Sequence, residues 1–312
     1  MLRSTLLGLP RVALTDSTDA EWDVAAQFND PAVATSATVY IFHAAVPSVA
    51  IWFDRAAFAL LHRQSFGGAA PASPVTSFAV PGSAVPGGLR RVFRPTRGPY
   101  KSSGLAVMPV GEWMVAVRLS STEFDPAALD ARLAALVTEI GWPAPSTPAT
   151  GSPAPGIATV VAPCTDRIDF HQAKLRKPDL SQALLGSLLA ANSAKTTSVS
   201  GGTTPWCREG DGRDNYGIYR KAGATNSYML ALGDAGRSAD VFPGLALSGM
   251  PATGGYTVTL ADVDGSVVTY PSFDALPKPE QVLDLIARRR PVSRTATNGK
   301  NLNITLDSKL VD

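Results

Sequence analysis

The sequence predicts an α+β protein of two small domains, each a mainly antiparallel sheet packed against helices. Three observations carry this. The 312 residues are 45% apolar and 17% charged, enough to bury two interiors. A stretch from Gly141 to Val161 is dense in Pro, Ser, Thr, Ala and Gly and carries no charge, which marks a linker. On either side of it, runs of alternating apolar residues follow one another with few helical segments between them. The expected boundaries are an N-terminal domain over 1–143, a linker over 144–156, a C-terminal domain over 157–291 and a polar tail over 292–312.

In the N-terminal half, RVALTD, EWDVAAQF and ATVYIFH have the β-branched and aromatic alternation of half-buried strands. PSVAIWFDRAAFALLHR then switches to helical spacing. Its Val49, Trp52, Phe53, Ala56 and Leu60 form one stripe, while Asp54, Arg55 and His62 fall on another face. SFAV, LRRVFR, GLAVMPV and EWMVAVRLSS read as further strands, the last two joined at Gly111 as a hairpin. The half closes with a helix. Asp125 is placed to cap it, Pro126 sits in the first turn where proline is tolerated, and Leu129, Leu133, Leu136 and Ile140 supply its apolar stripe.

The C-terminal half reads as strand GIATVVA, helix PDLSQALLGSLLA, and strands NYGIYRK, SYMLALG, GYTVTLA and SVVTYPS. The last two turn at Asp264-Gly265, and helix KPEQVLDLIARRR follows. Both halves end as hairpin, Phe-Asp, helix, which suggests a distant duplication. ANSAKTTSVSGGTTPWCREGDGRDN is long, polar and Gly-rich, so it reads as a loop. The tail is expected outside the compact core, although NLNITLD could add an edge strand.

A formal net charge of +2, with basic residues spread along the chain, offers no broad field for a polyanion, so nucleic acid is not an expected partner. No apolar run reaches the ~20 residues of a membrane-spanning helix. MLRSTLLGLPRVALTD lacks the sustained apolar stretch of a secretory signal, so the chain is either cytosolic or exported by a segment lying outside it. The two cysteines, Cys164 and Cys207, permit one disulfide; a pair of free thiols is the alternative.

Ala34–His43, Trp52–Arg63 and Ser102–Ser121 present a strand rich in Thr, Val and Tyr, a helix carrying Trp-Phe-Asp, and a hairpin with Gly at the turn. In these segments the chain resembles a loose group of uncharacterised exported proteins from alphaproteobacteria, over Pro10 to Pro143. The resemblance carries no assigned activity. It implies a periplasmic or secreted location, and through that location a Cys164 to Cys207 bridge. The missing export signal departs from the pattern.

Sequence signatures of catalysis are absent: there is no P-loop, G-x-G-x-x-G, H-E-x-x-H, G-x-S-x-G or C-x-x-C. No cofactor and no metal are expected. The richest polar cluster joins the cysteine segments, with Asp166, Asp169 and His171 near Cys164, and Trp206, Arg208, Glu209, Asp211 and Asp214 near Cys207. If the thiols are free, Cys207 could act as a nucleophile with His171 as base and Arg208 favouring the thiolate. Zinc on Cys164, Cys207, His171 and Asp166 is chemically admissible but lacks paired short spacings. LTDSTDAEWD and EGDGRDNYG could offer oxygens to calcium, yet polar turns explain both.

LRRVFRPTRGPYKSSG sets Arg90, Arg91, Arg94, Arg97 and Lys101 beside Phe93 and Tyr100, a composition suited to an anion or a polysaccharide. Strand alternation divides this charge between two faces, which favours a solvated edge. The ligand-binding candidates are therefore Arg91, Phe93, Trp206 and Arg208. The leading functional expectation is a non-catalytic binding or structural protein of the bacterial cell envelope, with an envelope protein or a glycan as partner. The alternatives are a hydrolase or transferase using Cys207 with His171, and a cytosolic protein that binds a small ligand.

Overall fold

The computed structural model describes residues 2–32, 34–143, 156–177, 205–244, 254–288, 291–298 and 301–307. Strands make up 42% of the described residues and helices 16%, with the strands arranged as two nine-stranded sheets. This mainly-β fold replaces the expected α+β class. The excess of strand comes from short or polar segments that pair because a neighbouring edge is there to receive them, whatever their own propensity.

The chain divides into two compact units, 1–161 with Gly233–Gly236, and 162–232 with 237–312. In the first, the strands are β1 (Thr5–Leu6), β2 (Leu9–Asp16), β3 (Asp23–Asn29), β4 (Thr35–His43), β5 (Ala69–Pro71), β6 (Thr76–Phe78), β7 (Gly88–Pro95), β8 (Ser102–Val110) and β9 (Trp113–Ser121). Their order is β1-β2-β3-β4-β9-β8-β7-β5, with β6 also on β7, and all pairs are antiparallel. The β8–β9 hairpin turns through Gly111 and Glu112, and the φ of 61° at Gly111 explains the glycine there.

Helix α1 (Val49–Leu61) starts at Ser48, whose hydroxyl accepts the Ile51 N–H, and it packs Trp52 edge-on against Phe42 with ring centres 6.0 Å apart. Arg55, which the helical spacing sets on a face apart from the apolar stripe, is 1% exposed and donates from Nε to the Gly233 carbonyl at 2.8 Å. Helix α2 (Pro126–Glu139) is capped by Asp125, whose carboxylate accepts the Ala128 N–H at 2.9 Å. Its Leu129, Leu133 and Leu136 are fully buried with Val39, Val92, Ala106 and Val117. Phe42 and Val39 point to opposite sides of β4, so the two helices lie on opposite faces of the sheet. The unbroken apolar run of β8 follows from burial on both faces.

The second unit holds β10 (Ala162–Pro163), β11 (Trp206–Arg208), β12 (Tyr216–Lys221), β13 (Tyr228–Leu232), β14 (Arg237–Pro243), β15 (Tyr256–Ala261), β16 (Val267–Phe273), β17 (Ser293–Asn298) and β18 (Asn301–Leu306). They lie in sequence order, with only β10 and β11 parallel. In the first unit, by contrast, β4 lies beside β9, so the two topologies differ and the expected duplication falls. Helix α3 (Pro279–Arg288) buries Val282 and Leu285 among Tyr228, Val241, Val258 and Tyr270.

The tail over 292–312, expected outside the compact core apart from an edge strand at NLNITLD, adds two strands: β17 pairs with β16, β18 pairs with β17 at the edge, and Val292, Ser293 and Thr295 are buried. GIATVVA contributes only Ala162 to a strand, while β14 arises from RSADVFP, whose charged residues hid it. The linker over 144–155 and the helix expected at PDLSQALLGSLLA lie outside the described residues.

Candidate functional site

The cysteine cluster is a covalent staple. Cys164 and Cys207 are joined by a disulfide across 43 positions, with their Cα atoms 4.9 Å apart. Neither sulfur is a thiol, which removes the nucleophile proposed for Cys207 with His171 and the sulfur ligands of the zinc alternative. His171 stands exposed, its backbone bridging to Pro277. Beside the staple, Arg220 is 1% exposed and lies opposite Cys207 in the strand register. It donates to Glu209 Oε2 at 2.8 Å, to the Ala224 carbonyl at 2.8 Å and to the Asp166 carbonyl. A charge so deeply buried is tolerated because its donors find acceptors. These polar residues tie segments together. Among the described residues, no group of three or more His, Cys, Asp or Glu is placed to hold a metal ion.

The four ligand-binding candidates separate. Phe93 is fully buried, and Arg91 lies over its ring at 5.8 Å while donating from Nε to the Ser73 carbonyl at 2.7 Å. Burial lowers the Arg91 pKa below its ordinary value. Phe93 is enclosed, and Arg91 is half-buried with its Nε committed to the backbone. Trp206 and Arg208 flank Cys207 on β11 and point the opposite way from it. The Trp206 ring is covered by the Lys221 ammonium at 4.2 Å, and desolvation lowers the Lys221 pKa.

The rest of the basic segment behaves differently. Arg90, Val92 and Arg94 share the α2 face of β7. Arg90 is consumed there by Asp130 at 3.1 Å, whereas Arg94 is exposed at the strand's end. Arg94 lines a shallow groove of about 500 Å³ with Ala72, Ser73 and the first turn of α2, bounded by Asp125 and Asp130. A second depression of about 330 Å³ adjoins it, sharing Arg94, Asp125 and Pro126 and adding Tyr100 and Lys101. The Lys101 ammonium donates to the Glu123 carbonyl at 3.3 Å, and neither Lys101 nor Arg94 is ion-paired among the described residues. The chain matches no family model, no curated protein and no solved structure.

The groove presents two cations without an ion-pair partner among the described residues, one half-buried phenol ring and the Asp125 carboxylate along an open trough. Sequence reading named Arg94, Tyr100 and Lys101 but set them aside because the charge splits between faces. That split is real. It pairs Arg90 with Asp130, sets Arg91 on the other face with its Nε on the Ser73 carbonyl, and leaves Arg94 on the face that α2 borders; the missing signal was which arginines would find internal partners.

Proposed function

We propose that this chain is a non-catalytic binding protein of the bacterial cell envelope, and that the groove beside the start of α2 holds an anionic ligand. The observation that carries this reading is that Arg94 and Lys101 line one trough beside Tyr100 with no carboxylate pairing either of them among the described residues. Exposed cations left unpaired on a nearly neutral chain attract carboxylate, sulfate or phosphate groups. An aromatic face beside them suits a sugar ring. The disulfide supports an oxidising compartment over the cytosol, since thiols stay reduced in most cytoplasms. The likeness of Pro10 to Pro143 to exported proteins points the same way. No helix among the described residues is long and apolar enough to cross a membrane.

The test is a titration of the oxidised protein with glucuronate at low salt, followed by heat or by backbone chemical shifts. Binding should perturb residues 94–101 and 125–127, and Arg94→Ala with Lys101→Ala should weaken it by about tenfold or more, as expected for loss of two charge-assisted contacts. Unchanged shifts at saturating glucuronate and at saturating inorganic phosphate would sink the reading.

A further inference from the structure

We infer that the groove's ligand carries an ammonium group beside its acidic charge: a small dianion with one amine, as in a dicarboxylic amino acid or an amino-bearing phosphate monoester. The inference rests on the anion reading of this groove and names the ligand class.

The smaller depression, about 330 Å³, is lined by Arg94, Lys101 and Asp125 together with Pro95, Tyr100 and Pro126. The three charged residues are all exposed. None of them forms an ion pair among the described residues, with one another or with any other group. Asp125 is nonetheless held in place, because its Oδ1 accepts the Ala128 N–H at 2.9 Å as the cap of α2. Its Oδ2 has no hydrogen-bond partner among the described residues. Asp130, the other carboxylate of the larger depression, differs: Arg90 donates to both of its oxygens, at 3.1 and 3.3 Å, and the pair is neutral as a unit.

A purely acidic ligand leaves Asp125 unmatched. It gains from Arg94 and Lys101 but meets a like charge in the same depression, and an unmatched like charge is how a site rejects the wrong ligand. Two cations and one carboxylate are all satisfied by a ligand with two negative charges and one positive. At a solvated site the ammonium on Asp125 gains what an exposed ion pair gains, roughly twofold to fivefold in affinity. Asp125 therefore selects among anions, while Arg94 and Lys101 hold them. Ligand pockets run from about 300 to 1,000 Å³, so this depression suits a compact molecule, with the half-buried Tyr100 ring as an apolar wall for its carbon chain.

The experiment titrates two pairs of probes into the full oxidised chain at low salt, followed by backbone chemical shifts. L-glutamate is paired with glutarate, and O-phosphoethanolamine with ethyl phosphate, so the members of each pair differ only in the ammonium. The amino-bearing member should bind about threefold or more tighter in at least one pair, and that pair identifies the acidic arm as carboxylate or phosphate. Asp125→Asn removes the charge and keeps the cap, since asparagine caps a helix as well as aspartate does. It should bring the members of that pair to equal affinity, weakening the amino-bearing one and tightening its partner. Arg94→Gln should weaken both members alike. Thermal melts of the two variants report loss of fold, and the paired comparison on the parent chain depends on no variant. Equal affinity within both pairs would overturn the inference and leave the anion site standing. An amino preference that survives in Asp125→Asn would overturn it as well, because the ammonium would then be read by another group. Unchanged shifts with all four probes would overturn both the inference and the anion reading.

Discussion

Asp240 occupies a strand inside a nine-stranded sheet, where a carboxylate is out of place. It is half-buried on β14, opposite Met229 and Thr259, and loss of water pushes its pKa from 3.8 up to about 6. The folded chain therefore holds this proton more tightly than the unfolded chain does. The stabilisation is present below the unfolded pKa of 3.8 and is lost as pH rises through about 6. A shift of this size corresponds to about 1–3 kcal/mol after allowance for partial exposure. Asp240→Asn should leave stability nearly unchanged at acid pH and raise it by that amount at neutral pH. Urea unfolding across this range checks it, and parallel curves for the two proteins would show that Asp240 does not govern the dependence. Nothing in RSADVFP announces this, because a charged residue in a polar run reads as solvated until the strands on either side are known.

At the scale of elements, legibility followed self-sufficiency. Helix α2 was readable to the residue because its cap, its first-turn proline and its leucine stripe all lie within one segment. The β8–β9 hairpin was readable for the same reason. What escaped were β5 on β7, the polar run of β14 between β13 and β15, and β17 on β16, whereas β6 overlaps SFAV and β18 falls in NLNITLD, both offered as strands by the sequence. The groove escaped likewise, since it depends on Arg90 finding Asp130 across 40 positions. The β10–β11 pair joins two short strands, and each aligns only two residues in that ladder. Its two strands are held by the disulfide closing a loop of 43 positions, which in a chain-entropy account contributes about 4 kcal/mol, with 2–4 typical of measured cases. Cys164→Ser with Cys207→Ser should lower unfolding free energy by about 2–4 kcal/mol and speed amide exchange in 206–208 and 219–221 first. Unaltered exchange there would mean that the Arg220 hydrogen bonds suffice to hold the segment.

Across the whole molecule, the ends of the sheets matter more than the helices that gave the first impression of the fold. In the first unit, β1 pairs only with Leu9 and Pro10, so the outer edge of β2 from Val12 to Asp16 has no strand on it among the described residues. Every residue of β2 from Pro10 to Thr15 is exposed, and Val12 and Leu14 are each 55% exposed. An open, apolar edge of this kind invites pairing with another chain. The register shift between Arg11 and Ala13 blunts it in part, since a bulge twists the edge away from a flat approach. Leu14→Lys places a charge on that edge without removing a buried contact. Its unfolding free energy should stay within about 0.5 kcal/mol of the parent, as for surface changes generally. Its onset of association on concentration or mild heating should move upward. Light scattering of the two proteins at matched concentration measures this directly, and coincident curves would place the association-prone surface somewhere other than β2.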